Sequence, residues 1–167
     1  IGDNEKEYLK IIKFSHNLKD ILNSDVYIIT VPTPIDAQKI PNLKPLDTAC
    51  RTVAESIMHS TNTKQTKKII IFESTVYPGA TEEFCIPIIE EITNFKRNID
   101  FVFGYSPERI NPGDENHRLS TIKKITSGSD EISRNWIDKL YGSIISANTF
   151  SVSNIKVAEA AKVIENT

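Results

Sequence analysis

Short apolar runs alternate with stretches of helical period along this chain. Val26–Val31 (VYIITV), Ile69–Phe72 (IIIF) and Phe101–Tyr105 (FVFGY) are almost wholly apolar, as expected of strands covered on both faces. Helical stripes lie between them. Leu46–Met58 places Leu46, Ala49, Val53, Ala54 and Ile57 on one side, and Ala80–Ile92 groups Phe84, Ile88 and Ile92, with Cys85 and Ile89 beside them. Pro87 should bend that second helix, because it has no backbone donor. A further helix is expected from about Asp130 to Ile144, capped by Ser129, with Ile132, Trp136, Ile137, Leu140 and Ile144 as its apolar face. Shorter strands are expected at Ile11–Phe14, Lys123–Thr126 and Thr149–Val152, and a brief helix at Asn17–Leu22 capped by Ser15. Asn154 should cap a last helix whose core face is Val157, Ala160, Ala161 and Ile164. Strand and helix in alternation define an α/β fold with a mostly parallel sheet.

Composition narrows the class. The 167 residues are 39% hydrophobic and 25% charged, which fits a water-soluble globular domain. A net charge of -2 does not suggest a nucleic-acid surface. No apolar run approaches the length of a membrane span, so neither nucleic acid nor membrane is expected as a partner. Cys50 and Cys85 stand far apart, with no Cys or His at ligand spacing. They are expected in the core, with no disulfide scaffold and no metal site. Lys67–Lys68 and Lys123–Lys124 flank apolar runs and read as strand-edge charges; His16 and His59 read as surface residues.

Each long strand is followed by an unusual polar segment: VPTP at Val31–Pro34, ESTVYPG at Glu73–Gly79 and YSPERINPGD at Tyr105–Asp114. Ligands of parallel α/β sheets bind beyond the carboxyl ends of the strands, so these segments should converge on one crevice. Thr33 is presented between two rigid prolines. Ser74 and Thr75 precede a glycine-opened helix whose amino end would suit a phosphate or a developing oxyanion. Glu108, on a loop stiffened by Pro107, is a candidate general base, or else the partner of Arg109 or Arg118 in a loop ion pair. On the last helix, Glu159, Lys162 and Asn166 lie opposite the expected core face. They form either a solvated side or, with Lys162 and Asn166 one turn apart, two groups able to reach one ligand.

Four segments taken together, VPTP, ESTVYPGATEE, GYSPERINPGD and KVAEAAKVIENT, resemble the UDP-glucose/GDP-mannose dehydrogenase family in order and spacing. SPERINPGD followed by AEAAKVIEN resembles the branch that oxidises UDP-N-acetylhexosamines. The UDP-glucose branch typically has Phe-Leu after the Pro-Glu pair and an acidic residue before the glycine, where this chain has Arg109, Ile110 and Pro112. The resemblance implies the second half of a doubly wound, Rossmann-like NAD-binding domain in residues 1–151, and the start of a central linking and dimerisation helix in 152–167.

It also implies an NAD-dependent, four-electron oxidation of the C6 alcohol of a UDP-sugar to a uronate, in a cytoplasmic homodimer or larger homo-oligomer serving surface polysaccharide synthesis. Val31, Pro32, Thr33 and Thr75 would contact NAD. Thr75 would also help order a hydrolytic water. Glu108 would act as general base in thioester hydrolysis, Arg109 and Ile110 would line the sugar nucleotide, and Lys162, with Asn166 beside it, would stabilise an alkoxide or oxyanion. No GxGxxG occurs, and no Cys follows Asn166. The pyrophosphate loop and the nucleophile are therefore expected outside the chain, before residue 1 and after residue 167. Two other readings fit less of the pattern: a β-hydroxyacid or 6-phosphogluconate-type dehydrogenase, and a non-catalytic sugar-nucleotide-binding paralogue.

Overall fold

The computed structural model describes residues 11–38, 40–61, 67–108 and 122–165. Three parallel strands form the main sheet in the order β1 (Val26–Ile29), β2 (Lys68–Phe72), β3 (Phe101–Tyr105). Ile29 aligns with Phe72, and Phe72 with Tyr105, so all three strands end at one rim. Parallel neighbours need crossovers. Helix α1 (Lys44–Met58) supplies the first. A π-helical turn at Thr81–Cys85, leading into α2 (Ile86–Thr93), supplies the second. At Pro87, where a bend is expected, the helix changes type: the Ile86 N–H reaches back five residues to the Thr81 carbonyl, and the α-helical part begins beside the proline that has no N–H.

Alternation along the strands divides the core. Tyr27, Ile29, Ile70, Phe72, Phe101, Phe103 and Tyr105 face α1 and α2, packing on Leu46, Cys50, Ala54, Cys85 and Ile89. The opposite face, Val26, Ile69 and Ile71, meets Ile137 and Tyr141 from helix α3 (Glu131–Gly142) and Ile145 just beyond its end. β2 and β3 are thus covered on both sides as expected, but Ile28 of β1 is 48% exposed. Only the margin of the α3 layer reaches β1 on that face among the described residues. Both cysteines are in the core. The expected Ile11–Phe14 strand does not form: the segment is irregular, Ile11 and Phe14 are exposed, and Lys13 and Ser15 bond the Asp20 carboxylate. Asn17 rather than Ser15 caps the short 3₁₀ turn at Leu18–Asp20.

A second pair of parallel strands, β4 (Lys124–Thr126) and β5 (Thr149–Ser151), brackets α3. The chain leaving β4 bonds to β3 through Ser127 N–H to Tyr105 O (3.1 Å) and Ser129 N–H to Phe103 O (2.8 Å). Here α3 differs from expectation. Its cap is Asp130, in a capping box with Ser133, while the Ser129 hydroxyl accepts the Phe103 N–H. The buried stripe is Ser133, Ile137 and Tyr141; Ile132 is 81% exposed and Trp136 40%. The reason is close approach. A Cβ on Gly128 would lie 2.3 Å from the Arg134 nitrogen, so the helix seats on its small Ser133 side and Trp136 turns outward.

Gly104, inside β3, serves the same packing: a Cβ there would meet the Ser127 carbonyl oxygen at 2.2 Å and Ile137 Cδ1 at 2.4 Å. Gly104→Ala should therefore destabilise the protein by about 1–3 kcal/mol through overpacking, read as a lowered urea midpoint. An unchanged midpoint would mean that β3 and β4 can separate at no cost.

Helix α4 (Ile155–Glu165) closes the chain, with Asn154 as its cap: the Asn154 side chain accepts the Lys156 N–H at 2.8 Å. Its orientation reverses the expected one. Ile155, Ala158 and Glu159 are buried, while Val157 and Ile164 are 53% and 75% exposed. A charged residue has displaced apolar ones from the interior, and its partners explain why.

Candidate active-site crevice

The carboxyl ends of β1 and β2 are stitched together by side chains. The Thr33 hydroxyl donates to the Thr75 carbonyl oxygen at 2.5 Å, and the Ser74 hydroxyl to Val31 O at 2.7 Å. The exit of β3 joins them: Ser106 N–H bonds Phe72 O at 2.9 Å, and the Ser106 hydroxyl bonds Ile125 O at 2.7 Å. Beside this seam opens a crevice of about 570 Å³ lined by Pro32, Thr33 and Ile35 from the first exit, Thr75 and Tyr77 from the second, and Val163 from α4. Its wall is mostly apolar, which suits the flat faces of a nicotinamide nucleotide, with Thr33 and Thr75 as polar points. Lys162 is half-buried next to Val163.

Glu108 sits just past β3 and belongs to a charged group with Glu73, just past β2, and Lys124 of β4. Lys124 is 3% exposed in its side chain, and its Nζ lies 3.4 Å from Glu73 Oε1 and 3.4 Å from Glu108 Oε2. The ammonium is also 5.0 Å from the centre of the Tyr141 ring, and the Tyr141 hydroxyl donates to Glu73 Oε1. Burial, with Glu73 next in weight, pushes the Tyr141 phenol well above its usual range, so it remains a donor. Lys124 is therefore an interior cation and not the strand-edge charge that its flanking position suggested. Arg109, Ile110, Arg118 and Asn166 lie outside the described residues.

The helix amino end beyond Thr75 is not open to a phosphate or oxyanion. The Gly79 N–H bonds Glu159 Oε2, and the Thr81 N–H bonds Glu159 Oε1 at 2.9 Å. Glu159 is fully buried there, and Ser74, with its hydroxyl spent on Val31, is buried too. This capture turns α4: the helix must present Glu159 inward, so Val157 and Ile164 face out. Sequence reasoning missed Lys124, Glu73, Tyr141 and the burial of Glu159. The one available signal was a lone carboxylate in the alanine-rich AEAAK run.

An open parallel sheet with helices on both faces, and a crevice where its strands end, is the architecture of a Rossmann-like nucleotide-binding domain. Residues 5–145 match the NAD binding domain of the UDP-glucose/GDP-mannose dehydrogenase family, and the chain belongs to that family. It is 51% identical over 156 residues to UDP-N-acetyl-D-glucosamine 6-dehydrogenase of Pseudomonas aeruginosa, a match covering 93% of this chain and 35% of that protein. With the Salmonella typhi enzyme of the same description it shares 49% identity over 99% of its own length and 37% of the relative's. Among solved structures, the UDP-D-ManNAc dehydrogenase of Pyrococcus horikoshii superposes with a TM-score of 0.82 at 32% identity, covering 98% of this chain and 37% of that one. The chain thus spans little more than a third of the length of these relatives. Among the described residues, no helix is long and apolar enough to cross a membrane.

Proposed function

We propose that this chain is part of an NAD-dependent UDP-N-acetylhexosamine 6-dehydrogenase, which oxidises the C6 alcohol to a carboxylate for surface polysaccharide synthesis in the cytoplasm. The observation that carries the reading is the shared crevice, where the VPTP and EST segments are bonded to each other and α4 contributes Val163 beside Lys162. The nearly half-identical relatives described as UDP-N-acetyl-D-glucosamine 6-dehydrogenases support the substrate class.

In this reading Val31, Pro32, Thr33 and Thr75 hold the cofactor, which supplies hydride acceptance. Lys162 brings a positive charge to the oxygen that becomes alkoxide or oxyanion, and Asn166, one turn on, binds the same oxygen. Glu108 takes a proton from the water that completes the oxidation, with Thr75 ordering that water. Arg109 and Ile110 line the sugar nucleotide. The boundary between the nucleotide domain and the linking helix falls at 151–152, and the exposed Val157 and Ile164 supply an apolar face for a homodimer or larger homo-oligomer.

The test is an NAD-reduction assay of the full-length protein with UDP-N-acetylglucosamine, UDP-N-acetylgalactosamine, UDP-N-acetylmannosamine and UDP-glucose. Turnover of at least one N-acetylhexosamine, with two NADH formed per sugar, is the expected result. Oxidation of UDP-glucose alone would overturn the substrate class, and elution as a monomer would remove the oligomer.

A further inference from the structure

Glu159 has no part in the chemistry above, yet it is among the most completely buried polar side chains described. Burying a carboxylate is costly unless it is fully bonded. Its two oxygens take the Gly79 and Thr81 N–H groups separately, at a helix amino end where the peptide dipoles favour negative charge. A second clasp lies one turn earlier on the same two elements, Lys156 Nζ to Glu83 Oε1 at 2.6 Å. The second anchor is exposed and salt-sensitive; the first is neither.

Lys162 follows Glu159 by three residues and Val163 by four, so all three lie on adjoining sides of one helix turn. Val163 is already in the crevice wall. The helix seat that Glu159 sets therefore fixes where Lys162 stands relative to Thr75, which belongs to the same segment as the anchoring N–H groups.

We propose that Glu159 is a positioning residue, which clamps α4 onto the Gly79–Thr81 turn and thereby places Lys162 against the reacting oxygen. The proposal rests on the reading of Lys162 given above. Aspartate keeps the charge but withdraws it by about 1.5 Å, so α4 must shift to keep either bond.

In the full-length protein, Glu159→Asp should lower kcat by about 10–10²-fold, with the KM for NAD changed much less. The deciding measurement is a double-mutant cycle. If Glu159 acts through Lys162, Glu159→Asp in a Lys162→Ala background changes residual kcat less than about twofold. The same factor of loss in both backgrounds overturns the proposal, as does wild-type kcat in Glu159→Asp. Wild-type kcat in Lys162→Ala overturns instead the reading of Lys162, and the proposal falls with it. A measurement on the wild-type protein guards against loss of fold in the variant. The Gly79 and Thr81 amide protons should exchange as slowly as that of Ile86, and rapid exchange at both would overturn the clamp.

Discussion

Lys162→Ala in the full-length enzyme should reduce kcat by about 10²–10³-fold, the usual cost of removing one donor to a developing oxyanion. The effect is expected in kcat more than in KM, because the positive charge matters most once the oxygen has become anionic. Binding of the cofactor should be little altered, since the crevice proposed for it is lined by Val163 and not by Lys162. Arginine should rescue poorly: its planar fork needs more room than a half-buried lysine site offers. Steady-state kinetics with saturating NAD would decide the matter, and a kcat within twofold of wild type would exclude Lys162 from the chemistry. A sugar-nucleotide sensor would lose nothing by the change.

The second large effect is on stability. Lys124→Met should cost about 3–5 kcal/mol, the range for breaking a buried ion pair and leaving one charge behind. Lys124 lies between Glu73 and Glu108, and the Glu73 side chain is only 13% exposed. Without the ammonium, Glu73 retains the Tyr141 hydroxyl as a neutral donor but loses the charge of Lys124 beside it. Methionine matches the length of the lysine stem, so the change isolates charge from volume.

Glu73→Gln in the same chain removes the stranded charge, and the double variant should recover most of the lost stability. Urea unfolding of wild type, both single variants and the double variant measures that coupling. Equal destabilisation in Lys124→Met and in the double variant would show that Lys124 contributes through packing alone. Because the same ammonium reaches Glu108, this cluster also ties the candidate base to the body of the sheet.

The places where sequence reading failed share one physical cause. Periodicity identified α3 and α4 but assigned their buried sides by counting apolar residues. In α3 the contest was decided by closeness: Gly128 and Ser133 let the backbone approach, and Trp136 was left half outside. In α4 it was decided by hydrogen bonding, since two backbone donors at Gly79 and Thr81 could hold a carboxylate inside. Lys124 shows the same limit. A lysine at the start of a strand resembles an edge charge until two carboxylates, each just past the end of another strand, are seen beside it.

The sequence by itself determined the three main strands, the helices between them and the fold class. Three apolar runs long enough for strands and too short for spanning helices, separated by helical stripes, allow little besides a parallel sheet with crossovers. Since the strands of such a sheet end at one rim, VPTP, EST and SPER had to come near one another. Local pattern also sufficed for Asn154 as a cap, since a cap acts within a turn of its own position. Only the tertiary structure decided which charges go inside. Burial of Glu159 and Lys124 depends on partners 78 residues and 51 residues away along the chain, at Thr81 and Glu73. The desolvation cost of a charge is met by groups that folding brings to it, and no neighbour in sequence announces them.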